Sequence, residues 1–367
     1  MNKKNQFTIS KIWLFSLGLL TFLLIVTTSY LLTSRWLNKS TSIVVNGSDY
    51  GHAYYSTGSD YLGNYVYGAA TQLAVNELNT NILKDKLRLK LGLDIKAQKK
   101  LDLFDLSEFT TNDLDSQSYY VKSGYGQKTV DLVNLESRQK FPDKSFKDLE
   151  LSLRDKEFLS YAYLLKKMQY PVPFSQADVY FNQEKVRGFK LTNGTQVQNL
   201  EIISYSSDNK FFLKLLSKDG QDEIFLAKGY SPSQTASLIA LMNKPNPKYV
   251  PFNEGDVFEV PEIHLKLSRD YNEFIDKFLL NPGFLNYKIA VMRENLKFDF
   301  DYQGARVENE GYIVNIVKSS LFPTLEPKIK IFKLDKPFLL MMKRTNSQLP
   351  YFILGVNNTN LMQKSVK

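Results

Sequence analysis

Between Leu62 and Leu93 apolar residues recur three and four apart, as in "ATQLAVNEL", and this spacing predicts one long or two short helices. Residues 102–155 are polar and mixed, with short helices expected and a strand at "TVDLVNL" (129–135). Beyond residue 157 the pattern turns strand-rich. "EKVRGFKLTNGTQVQNLEII" (184–203) has "TNG" between two partly alternating runs, a hairpin signal, and "KFFLKLLSKDGQDEIFLA" (210–227) repeats the device around "KDG". "YSPSQTASLIALMNKPNP" (230–247) reads as a helix with Ser231 as N-cap, Pro232 in the first turn and Pro245 past the end. "VPEIHLKL" (260–267) alternates, with Ile263, Leu265 and Leu267 on one face and Glu262, His264 and Lys266 on the other. "SRDYNEFIDKFLLNPGF" (268–284) returns to helix, and "FLLMMKR" (338–344) and "YFILGV" (351–356) close the chain as apolar strands. Helices precede strands, there is no internal repeat, and the expected class is α+β.

One apolar run differs in kind. Ile12–Leu32 is 21 residues without a charge, long enough to cross about 30 Å of hydrocarbon as a helix. It exceeds the apolar core of a cleaved signal peptide, and "TTSYLLTSRW" offers no small-x-small cleavage site. Lys3, Lys4 and Lys11 precede it, and Arg35 and Lys39 follow. The expected organisation is a cytoplasmic N-terminus (1–11), a transmembrane signal anchor (12–32), a polar stalk (33–60) and an extracytoplasmic domain (61–367) of a single-pass cell-membrane protein.

Composition removes several chemistries. The 367 residues include no cysteine, which excludes disulfides, thiolate metal sites and a cysteine nucleophile. The net charge of +9 is thinly spread, a weak bias toward anionic surfaces, and no basic stripe with interleaved aromatics points to nucleic acid. The densest basic stretch, "KDKLRLKLGLDIKAQKK" (84–100), reads as a solvated helix face. His52 and His264 lie in unlike contexts, and His264 reads as a solvated imidazole. No metal-ligand spacing, phosphate loop or nucleophile elbow is present. "SSDNK" (206–210) superposes Ser-x-x-Lys on Ser-Asp-Asn, elements that penicillin-recognising enzymes need apart. The expectation is a protein without catalysis, cofactor, metal or small-molecule substrate.

The stretch "ARVENEGYIVNIVK" (305–318) carries the main functional signal. Glu308 and Glu310 close an apolar run, Gly311 breaks it, and a second β-forming run follows. Read with its neighbours, this stretch resembles the hinge of the serpin family, where a strand ends in two acidic residues and a glycine before the reactive loop. "VPEIHLKLSRDYNEFIDKFLLNPGF" is similar to the serpin strand and helix that precede it. "LDKPFLLMMKRTNSQLPYFILGVNN" is similar to the terminal strands, with Lys336, Pro337, Phe338 and Gly355 in matching places. "FLSYAYLLKKMQYPVPF" (158–174) is similar to an upstream strand; Phe174 matches, and Tyr170 stands where the family has tryptophan. From Gly311 to Pro337 is 26 residues, about the family spacing. The resemblance is fair from 157 to 358 and poor for 50–150, which looks shortened.

The resemblance implies an α+β fold with a large central β-sheet and N-terminal helices. It also implies a loop that a serine protease cuts and that then enters the sheet as a new strand, trapping the protease. Where the family has threonine and alanines after the glycine, this chain has Tyr312, Val314 and Ile316 on one face and Ile313, Asn315 and Val317 on the other. Overpacking at such positions costs about 1–3 kcal/mol each, so trapping by insertion is doubtful. Three readings follow: a non-inhibitory domain, a sheet with matching cavities, or a segment already inserted as a permanent strand. Counting on from Gly311 puts the candidate scissile bond at Leu325–Glu326. The rival class is an unrelated surface binding, adhesion or envelope-assembly module.

Overall fold

The computed structural model describes residues 59–61, 63–244, 249–310 and 329–365. They form one body of three sheets with four α-helices among the described residues. The largest sheet has seven strands in the order β1 (Ser59–Tyr61), β2 (Asn64–Ala69), β16 (Phe352–Val356), β15 (Phe338–Arg344), β9 (Asp222–Lys228), β8 (Lys210–Leu216), β7 (Leu200–Ser207). A four-stranded sheet runs β14 (Ile331–Lys333), β10 (Val257–Pro261), β6 (Glu184–Lys190), β5 (Ser175–Phe181). The third, which concerns function, runs β11 (Ile263–Asp270), β12 (Arg293–Phe300), β13 (Gly304–Glu310), β4 (Phe158–Gln169), β3 (Tyr119–Tyr125).

β8, β9, β15 and β16 read as nearly unbroken apolar runs because both their faces are covered. One face (Leu213, Leu226, Leu340, Leu354) joins the main core, and the other (Phe212, Phe225, Met341, Ile353) packs on helix α4 (Thr235–Met242) through Leu238, Ile239 and Met242. The five-stranded sheet alternates instead. Leu265, Phe298, Val307 and Leu164 fill the main core on its inner face. Its outer face carries His264, Lys266 and Lys297, and is partly covered by helix α3 (Gly126–Lys140) through Val133, Phe141, Tyr161 and Tyr163. Helix α1 (Ala70–Glu77) follows β2 without a break and lies under the inner face; helix α2 (Ile95–Leu106) is capped by Asp94, which accepts from Ala97 N–H.

The α+β class and large sheets stand, but several local expectations fail. Residues 64–69 are a strand before α1, and 86–91 are extended, with Leu87, Leu89 and Leu91 buried in alternation, so the basic stretch is helical only from Ile95. "TVDLVNL" lies inside α3: Thr129, Val130, Val133 and Ser137 face inward at helical spacing. "TNG" is no hairpin, since β6 and β7 belong to different sheets; the hairpin there joins β5 to β6 through Asn182 and Gln183, both with positive φ. The "KDG" hairpin forms as expected. Residues 271–292 are turns and short bridges rather than a helix, because β11 runs on to Asp270. Glu262 is buried beside Arg187 instead of facing solvent. Ser231 caps a short 3₁₀ turn that opens α4, as its sequence suggested. No described helix is long and apolar enough to cross a membrane; Ile12–Leu32 lies outside the described residues.

Candidate functional site: the strand β13 and the groove beyond it

β13 sits between β12 and β4 and is antiparallel to both, so it separates two mutually parallel strands. The β12–β13 turn spans Asp301–Gly304, where Asp301 Oδ1 accepts from Gln303 N–H at 2.8 Å. Gly304 is required by close approach: a Cβ there would lie 1.9 Å from the Met168 carbonyl oxygen.

Consecutive side chains fix β13 on opposite faces. On the outer face the fully buried Glu308 carboxylate accepts from Ser145 N–H (2.6 Å), Ser145 Oγ–H (2.6 Å) and Tyr163 O–H (2.8 Å), with Arg306 Nη2 at 3.3 Å. Burial pushes its pKa up, but these donors outweigh burial and hold it below the usual carboxylate value. On the inner face Asn309 Oδ1 accepts from Ala70 N–H at 2.9 Å, and its amide donates to Glu294 Oε1 and to the Asn295 carbonyl, each at 3.2 Å. The first N–H of α1 has no side-chain cap of its own, so Asn309 satisfies it from a distant strand. Glu294 is itself buried and held by Arg269 (2.5 Å) and Tyr271 O–H (3.3 Å). Gly68 of β2 makes room, since a Cβ there would meet Asn309 Oδ1 at 2.5 Å.

The last described residue of β13, Glu310, lies opposite Asn295 and Tyr163. β4 starts five residues before Tyr163, at Phe158, and β12 starts two before Asn295, at Arg293. Phe158–Tyr161 of β4 and Arg293 and Asn295 of β12 line an open cavity of about 820 Å³. Its outer wall includes Phe146 and Leu149, and its inner wall includes Val75 and Leu78 of the α1 region. Glu308 and Glu310 therefore belong to a strand paired on both edges. Gly311, Tyr312, Val314, Ile316, Leu325 and Glu326 lie outside the described residues. Sequence reasoning missed Asn309, Ser145 and Tyr163; the one available signal was a polar Asn-Glu run in a strand otherwise suited to a core.

His264 is half-exposed on the outer face, with Nδ1 3.0 Å from Asp299 Oδ1, and this carboxylate raises its pKa above the ordinary value. No group of His, Asp and Glu among the described residues could hold a metal ion. Phe174 and Tyr170 stack edge to face at 5.0 Å, both buried in the core next to the end of β4. Gly355 lies under the Tyr65 ring, only 1.9 Å from where a Cβ would stand.

No family model matches this chain, and no curated protein matches it. Solved structures do. The thermophilic serpin tengpin in its native state superposes with a TM-score of 0.50 at 13% identity, over 88% of this chain and 95% of that one. Tengpin in its latent state gives 0.49 at 12% identity over 84% and 96%, and a cleaved serpin 42Da gives 0.46 at 10% over 87% and 98%. The likeness to native tengpin shows the fold: this chain is folded as a serpin.

Proposed function

We propose that this is a membrane-anchored serpin-fold protein of the cell surface that presents residues 311–328 to serine proteases as a substrate loop but does not trap them. The single observation that carries this reading is the double pairing of β13. Trapping by strand addition draws on the free energy released when a cut segment enters the sheet. Here the segment just before Gly311 already holds an interior position over Gly304–Glu310, with Glu308 and Asn309 latched on both faces. A new strand could enter beside β13 only by parting it from β4, against the Glu308–Tyr163 hydrogen bond that ties the two.

Bulk after Gly311 acts in the same direction. A segment continuing β13 in register would carry Tyr312 and Val314 toward Phe146 and Leu149, and Ile313 toward Val75 and Leu78. Those four side chains are apolar, though Lys266 and Lys297 also line the cavity, and accommodating large residues there is slow relative to small ones because neighbours must repack. Hydrolysis of the acyl-enzyme then finishes first. The apolar span Ile12–Leu32 supports the anchor and the extracytoplasmic placement. The protein performs no catalysis in this reading.

Incubation with chymotrypsin-like and elastase-like serine proteases tests it. The expected result is cleavage near Leu325–Glu326 with free, active protease. An SDS-resistant complex of protease with this chain would overturn the proposal.

A further inference from the structure

Away from β13, residues 86–90 run antiparallel to 278–281. Lys90 N–H donates to the Phe278 carbonyl and Leu280 N–H to the Arg88 carbonyl, both at 2.8 Å, and Leu89 bridges Leu279. Leu89 and Leu279 point into a core cluster with Leu87 and Leu91. By alternation, the neighbours point outward: Arg88 beside Leu280, and Lys90 beside Phe278, with Lys288 bridged to Phe278 on its other side. Phe278 and Leu280 are each 47% exposed. The chain then turns directly from Leu91 through Gly92 into α2, leaving Leu93 99% and Ile95 69% exposed. Gly92 has a left-handed φ of +64°, which gives this tip its sharp form.

Such large apolar side chains at a turn tip and a ribbon face are costly in water. Charge says what covers them. Residues 84–100 hold seven basic residues against two acidic ones. Asp85 is taken up by Arg88 at 2.7 Å, and Asp94 by the α2 cap. Lys84, Lys90, Lys96 and Lys99 make no ion pair among the described residues. Apolar side chains projecting from a field of unneutralised lysines match the boundary of a bilayer with acidic headgroups: apolar tips enter the acyl region while the cations meet phosphate.

We propose that this face, with Leu93, Ile95, Phe278 and Leu280 as its apolar tips, docks on an anionic lipid surface. The contact is separate from the expected anchor at 12–32 and from β13, and holds whether or not the loop is cut.

The cysteine-free chain makes the test site-specific. The full chain carrying Leu93→Cys, labelled with the polarity-sensitive fluorophore NBD, is reconstituted in phosphatidylcholine bilayers with and without phosphatidylglycerol. The same labelled chain is also held in detergent-free nanodiscs and exposed to added vesicles of both compositions. Expected is a blue shift, with quenching by doxyl lipid, only with phosphatidylglycerol and lost at high salt; a label at Tyr180→Cys, exposed on β5, stays unshifted. Adding Phe278→Asp lowers vesicle partitioning by about tenfold. Absence of a shift in both arrangements would overturn the proposal, as would a shift equal in neutral lipid. Retention on heparin without any lipid-dependent shift would overturn it too, assigning the lysines to a sulfated polysaccharide.

Discussion

Asn309 accepts a hydrogen bond from the N–H of Ala70 at 2.9 Å, joining residues 239 positions apart in sequence. One contact thus caps helix α1 and fixes the strand that fills the middle of the five-stranded sheet. With Glu308 bound to Ser145 on the opposite face, β13 is held as a wedge rather than laid on an edge.

Replacing Asn309 by Leu leaves the Ala70 N–H and Glu294 Oε1 each short of a partner in a buried site. A cost of about 1–3 kcal/mol per unsatisfied group is expected. Urea denaturation of the variant against the parent measures it. Asn309→Asp sets a second carboxylate against Glu294 and loses more.

Glu308 gives β13 a pH dependence with a defined sign. Its carboxyl is depressed in the folded state relative to the unfolded value of about 4.3. Its contribution is therefore complete above that unfolded value and is lost as pH falls through the folded one. Glu308→Gln should flatten the acid limb of a Tm-against-pH curve while lowering stability near neutrality. A curve parallel to the parent's across that limb would refute the assignment.

The His264–Asp299 pair runs the other way. The folded imidazole pKa is raised, so its contribution is present below the unfolded value of about 6.5 and fades as pH rises through the folded one. Proton NMR of the imidazole should titrate above 6.5, and Asp299→Asn should bring it back. Both groups are part-exposed, so the stability effect is small.

Much of the sheet framework was legible because its strands carry period-two or fully apolar runs, as in β11, β15 and β16. The "KDG" turn was legible because it joins neighbours in one sheet. The "TNG" misreading has a tertiary cause: β6 and β7 part to different sheets, a choice no local pattern records. The β5–β6 turn escaped because Asn182-Gln183 adopts positive φ without glycine. At the site, Glu308 stood out as an acid after an apolar run. Its partners Ser145 and Tyr163 lie 163 and 145 residues away and could not be read from spacing.

Lys166 offers a test of how the central sheet is tied to the seven-stranded one. It is buried on the inner face of β4, 3.0 Å from Asp222 of β9 and 2.6 Å from Asp115. Lys166→Ala strands a buried carboxylate and should cost about 3–5 kcal/mol. The double variant with Asp222→Ala should recover part of that loss, read from the unfolding midpoints.

Hydrogen exchange of the uncut protein addresses β13 most directly. If the strand is paired before any protease acts, peptides covering 304–310 will be as protected as those covering β4, and cleavage near Leu325 will add little. Rapid exchange of 304–310 in the intact chain, with protection gained only after cleavage, would contradict the account.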